Sequence, residues 1–233
     1  MGAEAPPLSA FTPEERRLIR RLRTPPAVQR FLNGLRYNTE PPPGRATLRS
    51  FRGVVRHRTV HCMEAALAAA VILEQHGYPP LVLSFESIDD LDHVLFVYQQ
   101  EGRWGSVARS RDPGLHGRKP VFRTPRALAL SYVDPYIDFS GRLTGYTVQD
   151  LRALGDYDWR LSERNVWKAE RLLLDIPHRR IRSSDRRIDA LRARYREYRA
   201  RHGVKPVYYD RQAWTPLPRE FARSLRLARQ AAG

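Results

Sequence analysis

The stretch Thr59-Val-His-Cys62-Met-Glu-Ala-Ala-Leu67-Ala-Ala-Ala-Val-Ile-Leu73-Glu-Gln-His76-Gly77 decides the fold. It reads as one helix from about Thr59 to His76, closed by Gly77 as its C-terminal cap. Ala65, Ala66, Ala68, Ala69 and Ala70 make it slim, and its apolar residues surround the axis instead of forming one stripe. A helix of that kind is packed on nearly every side. It predicts a central element with the rest of the chain built round it. Its apolar run, Ala65 to Leu73, is nine residues, far short of the ~20 needed to span a membrane.

Working outward, three strand-like segments follow: Leu81 to Phe85, His93 to Tyr98, and Arg103 to Ala108. Glu101-Gly102 is the turn between the last two, which predicts an antiparallel hairpin. Upstream, Thr12-Pro13-Glu14-Glu15 is a helix start, with Thr12 as N-cap and Glu15 as the returning acid of a capping box. That helix must stop before Pro25-Pro26, and a second follows with Val28, Phe31, Leu32 and Leu35 on one face. Pro41-Pro42-Pro43-Gly44 is a stiff loop. Downstream, Thr124-Pro125 opens a helix expected to end before Pro135. From Leu151 the chain reads as helical and basic, punctuated by Pro177, Gly203, Pro206, Pro216 and Pro218. Helices, then a central helix, then an antiparallel sheet, then more helices make an α+β chain and not an alternating βαβ one. The division expected is a core over residues 1–150 with its N-terminal helices, and a basic, mainly helical extension over 151–233 packed on it.

The 233 residues carry 41 basic and 25 acidic side chains, a net charge of +16. Taken whole, that charge points to nucleic acid or another anionic surface. By position it does not: residues 1–150 hold 20 basic and 15 acidic groups, residues 151–233 hold 21 and 10. Nearly all the cations are arginine, ten of them between Arg179 and Arg201. In that segment Ser184 can cap a helix whose Ile188, Leu191, Tyr195 and Tyr198 form a narrow apolar stripe. A stripe docked on the core with arginines on the wet face fits better than a helix laid along phosphates. The N-terminus has no basic and apolar leader, and Pro6 stands where a myristoylation signal wants serine or threonine. A single cysteine excludes an intramolecular disulfide. A cytoplasmic chain is the expectation.

That cysteine, Cys62, falls in the first turn of the central helix, where free backbone amides and the positive end of the macrodipole lower a thiol's pKa. The same amides can receive an oxyanion. His93 opens a strand on the face of Leu95 and Val97 and is placed to act as base to the thiol. His57 and His61 are four apart, but no third ligand accompanies them, and no metal or other cofactor is expected. Asp89, Asp90 and Asp92 read as a solvated turn.

Cys62, Ala65, Leu67, Leu73, Gly77-Tyr78-Pro79, Val82, Asp92-His93 and Gly102-Arg103-Trp104 together resemble the core of the transglutaminase-like superfamily. The series spans roughly residues 28–115. The resemblance implies a papain-like α+β fold with a Cys-His-Asp triad acting on amides, Cys62 as nucleophile and His93 as base. The family's aspartate falls a few residues after the tryptophan, where this chain has Ala108. Asp112 is the nearest acid downstream, with Ser110 as a polar substitute. Asp92 is adjacent to His93, but alternation along an extended segment points it away. Trp104 is a candidate for lining the substrate groove. The reaction implied is thioester formation on a peptide or amide substrate, followed by hydrolysis or acyl transfer. The second reading is a catalytically silent module whose arginine-rich tail engages nucleic acid or an acidic partner.

Overall fold

The structure is a computed structural model and describes residues 4–39, 46–89 and 92–203. The Pro41–Gly44 loop, Asp90, and the end of the extension with Pro206, Pro216 and Pro218 lie outside the described residues.

The chain opens with helix α1 (Pro13–Arg21), whose capping box is made: the Glu15 amide donates to Thr12 Oγ1 at 3.2 Å and the Thr12 amide to Glu15 Oε2 at 2.7 Å. Helix α2 (Pro25–Gly34) starts at once, capped by Thr24. A two-residue strand β1 (Arg36–Tyr37) follows, then helix α3 (Phe51–His57), which sequence patterning alone does not announce; Ser50 caps it. Arg58, in the left-handed region at φ 52°, turns the chain out of α3. Thr59–Val60 is then not helical but a short strand β2, paired in parallel with β1. Two β-branched residues favour the extended form there. The central helix α4 is therefore Cys62–Glu74, shorter than expected at both ends, and Cys62 is its first residue. Gly77, at φ 84°, closes it: the Gly77 amide donates to Glu74 O and the Tyr78 amide to Leu73 O, both at 3.1 Å.

Strands β3 (Leu81–Ser87), β4 (Val94–Gln100) and β5 (Arg103–Val107) come next, with the expected hairpin at Glu101-Gly102. The sheet is wider than those three. It also takes β6 (Arg118–Phe122), β7 (Leu143–Asp150) and β8 (Arg179–Arg180), in the order β6-β5-β4-β3-β7-β8, antiparallel throughout. The helix expected from Thr124 breaks into α5 (Pro125–Leu130) and α6 (Val133–Tyr136), the second of which contains Pro135. Pro135 falls within its first turn, where its missing N–H is not needed. Beyond the sheet lie α7 (Trp167–Asp175) and α8 (Asp185–His202).

The sheet alternates as a strand buried on both faces requires. Val82, Phe96 and Tyr98 face α4, whose residues Ala65 to Leu73 are all at most 1 % exposed. Leu83, Phe85, Leu95 and Val97 face α5 and α6 through Leu128, Tyr132 and Val133. Residues 151–181 belong to this same core. Trp159, Val166, Ala169 and Leu173 pack with α4, Arg160 pairs with Glu74 at 2.7 Å, and the Val166 amide donates to Leu48 O at 2.7 Å.

Helix α8 docks by the expected stripe: Ile188, Leu191 and Tyr195 are buried, the first two against Ile137. Several of its arginines are not simply wet. Arg187 pairs with Asp134, Arg192 donates to Ser140 O at 2.7 Å, and Arg199 stands over the Phe139 ring at 5.3 Å. No helix among the described residues is long and apolar enough to cross a membrane.

One close approach fixes the loop between β5 and β6. A Cβ on Gly117 would collide with Gln29 Oε1 and with the Ser106 carbonyl oxygen. Backbone cannot step aside as a side-chain tip can, so Gly117→Ala is expected to cost about 3 kcal/mol, the upper end of overpacking penalties. A urea denaturation midpoint measures it.

Candidate active site

Cys62 and His93, distant in sequence, meet where the start of α4 passes the start of β4. Cys62 is half-buried and His93 is 3 % exposed. The His93 ring lies parallel to Phe85 at 6.4 Å and tilted to Tyr132 at 6.1 Å, on the face shared with Leu95 and Val97 as alternation predicts. Its Nε2 donates to the main-chain carbonyl of Leu115 at 2.9 Å. That bond sets the tautomer, because a carbonyl oxygen only accepts, and it leaves Nδ1 as the free ring nitrogen, in a ring that helps to hold the Cys62 thiol pKa down.

The group on Nε2 is thus a backbone oxygen. Asp112 begins the turn that delivers it: the Asp112 amide donates to Ser110 Oγ at 3.1 Å, and its carbonyl accepts from the Leu115 amide at 3.0 Å. Ala108, where the resembled family has its aspartate, is fully buried, and its backbone is clamped on both sides by Gln29 at 2.8 and 2.9 Å. Asp92 turns its carboxylate to the Ser87 amide at 3.0 Å, while its carbonyl faces the Cys62 sulfur at 4.0 Å. Two buried arginines brace the turn. Arg109 donates to Ser110 O and Leu35 O, and Arg118 donates to Gly114 O and His116 O while lying 4.0 Å above the Tyr132 ring.

Three further groups belong to the site that sequence reasoning did not place there. His61, weighed above only for its spacing from His57, precedes Cys62, lines the same groove and helps to hold its thiol pKa down. His57 itself ends α3 and is exposed, so the two histidines do not share a helix face. Tyr37 of β1 is brought beside Cys62 by the parallel pairing with β2, and its hydroxyl accepts from the Cys62 amide. Its ring stands 5.6 Å from the Arg109 guanidinium and 6.0 Å from that of Arg111. Burial, with the neighbouring Cys62 charge, pushes the Tyr37 hydroxyl up to about 12 against the pull of both arginines. It therefore keeps its proton. The third is the carbonyl of Leu115, which no side-chain pattern encodes.

The electrostatics favour ionised sulfur. Burial works against the thiolate, but hydrogen bonds from His61 and His93, and their charges, outweigh it and bring Cys62 down to about 5. The sulfur opens on a groove of about 600 Å³. Cys62, His61 and Met63 line it on one side, with Arg111 at its edge. The facing wall is α7, through Trp167, Glu170 and Leu174; Trp167 and Leu174 are 42 % and 64 % exposed. Trp104 does not line this groove. It lines a separate hollow of about 310 Å³ with Tyr78 and Tyr98.

No family model matches the chain, and no curated protein does. Among solved structures the chain is similar to LapG of Legionella pneumophila. The calcium-bound form is 13 % identical with a TM-score of 0.37, over 71 % of this chain and 94 % of that one. The EGTA-treated form is 14 % identical with a TM-score of 0.35, over 65 % and 90 %. At that identity the likeness assigns no residue a role.

Proposed function

We propose that the chain is a cysteine-dependent hydrolase or acyl transferase acting on amide or peptide bonds through a Cys62 thioester. The observation that carries this reading is a thiol brought down to about 5, between two imidazoles, at the start of a buried helix and open to a groove. A structural cysteine gains nothing from such surroundings; a nucleophile does.

In the reaction the Cys62 thiolate attacks the carbonyl carbon, a C–S bond forms, and the carbonyl electron pair moves to oxygen. The protonated Tyr37 hydroxyl, itself accepting from the Cys62 amide at the positive end of α4, is the donor for that oxygen. As the tetrahedral carbon collapses the C–N bond breaks, and the leaving nitrogen takes the proton on His93 Nδ1. Water or an acceptor amine then attacks the thioester while Nδ1 takes its proton, and the thiolate leaves. The Leu115 carbonyl keeps the ring turned for both steps. Asp112 serves by shaping the turn that carries that carbonyl.

The test is a library of random decapeptides incubated with the protein, quenched in acid and read by intact mass. An acyl adduct on Cys62 and new peptide termini or transfer products are expected. An unmodified protein and an unchanged library would overturn the reading.

The ionisation has its own signature. A thiol is nucleophilic only above its pKa, so labelling of Cys62 by iodoacetamide is expected to rise through about pH 5 and to be level at neutral pH. A free thiol rises near pH ~8.5.

A further inference from the structure

The two imidazoles on Cys62 are held alike but backed differently. His61 Nε2 lies 2.8 Å from the Thr47 carbonyl oxygen and so carries a proton, in the residue that immediately precedes Cys62 and lines the same groove. His93 is held in the same sense by the Leu115 carbonyl. Behind His61, however, stands a carboxylate: Glu64 Oε1 is 3.7 Å from Nε2, and Glu64 is fully buried. Glu64 is fixed in place by the amides of His61 and Arg49, both at 3.0 Å, and by Thr47 Oγ1 at 3.2 Å. An ionised carboxylate that close to an imidazole favours the imidazolium.

We propose that His61 is a third catalytic residue, the imidazolium that holds Cys62 as a thiolate with Glu64 as its counter-charge, while His93 alone carries the proton passed to the leaving group. This rests on the thioester chemistry proposed above. A single imidazolium that surrenders its proton to the leaving amine can no longer steady the sulfur. His61 keeps its proton throughout, so it steadies the thiolate before attack and again when the thiolate departs from the acyl-enzyme. No bond to His61 is made or broken.

The surroundings are charged on several sides. Glu64 lies on the same helix, and Arg49 pairs with it at 3.9 Å. Tyr37 of β1, Arg111 of the braced turn, Asp92 and His93 at the start of β4, and Glu170 of α7 complete the set around the thiol and its groove. Burial opposes charge on His61, yet the Cys62 sulfur, Glu64 and the Thr47 carbonyl push it up to about 9.

The test needs no substrate. Iodoacetamide labelling of Cys62 is followed against pH in the unaltered protein and in His61→Gln, Glu64→Gln and His93→Gln. For His61→Gln, labelling at pH ~6 is expected to fall at least tenfold, with the midpoint moving up. Glu64→Gln is expected to move it the same way by less. His93→Gln is expected to move the midpoint up as well, by less than His61→Gln, and to give no product from the peptide library. A His61→Gln midpoint unchanged from the unaltered protein would overturn the proposal. Should a variant fail to fold, imidazole NMR titration of the unaltered protein decides. His61 is expected to stay protonated to about pH 8 and to release its proton at least tenfold more readily in Cys62→Ala; titration near pH ~6.5 in the unaltered protein would overturn it. An unconverted library beside a tenfold His61→Gln effect would strike only the amide chemistry, not the thiolate partner.

Discussion

Cys62→Ala is expected to lower turnover of any peptide the protein converts by about 10⁴-fold or more, because without sulfur no thioester forms. What remains is polarisation of a bound carbonyl by the Tyr37 hydroxyl, which has no nucleophile to exploit it. Cys62→Ser is expected to fare no better: the imidazoles that ionise a thiol do not ionise a hydroxyl. Stability should barely move, since Cys62 is half-buried and small, and about 1 kcal/mol is the scale of such a change. A urea midpoint beside a single-turnover assay separates the two effects. Retention of more than a tenth of the activity in Cys62→Ala would remove the sulfur from the mechanism.

Arg118→Met is expected to do both kinds of damage. Arg118 is fully buried, and its guanidinium donates to Gly114 O at 2.7 Å and His116 O at 2.5 Å, on either side of Leu115. It also rests 4.0 Å above Tyr132, whose ring flanks His93. Methionine matches the stem but leaves both carbonyls without that donor and abolishes the cation–π contact, so a loss of about 3–5 kcal/mol is expected. Because those carbonyls bracket the one that orients His93, turnover should fall as well, by about 10²-fold, the scale of a small misplacement at a reacting group. Arg118→Lys, which keeps a cation but not the planar fork, should recover part of the stability and little of the turnover. Equal turnover in Arg118→Met and the unaltered protein would show that the turn does not govern the imidazole.

The parts of the fold legible in the amino-acid sequence were those with local signals. The alanine-rich run from Ala65 to Ala70, the capping box of Thr12 and Glu15, and the Glu101-Gly102 hairpin each carry their own chemistry within a few residues. The missed strands lacked it for separate reasons. β6 contains Pro120, which argues against a central strand but is tolerated here because β6 is the sheet edge. β7 is interrupted by Gly145, where a Cβ would press on Glu86 and His178, so its alternation is broken at the point where neighbours come closest. β8 is two arginines, too short for any alternation to show. At the site, Cys62 and His93 were readable because each stands at the opening of an element. Tyr37 was not, because a two-residue parallel pairing brings it there. Trp167 and Leu174 were not, because α7 lies a hundred residues downstream of the sulfur it faces.

The acceptor that turns His93 belongs to the peptide chain, and this has a bearing on how the site would show itself to genetics. Any residue placed at 115 still brings the same oxygen, so a scan that changes side chains one at a time reports there only the loss of a buried leucine and never the carbonyl. The function of the carbonyl would surface instead as unexplained sensitivity at Gly117 and Arg118, residues that touch neither sulfur nor substrate. A catalytic part written into the course of the backbone is inherited as a shape, and only changes of shape can take it away.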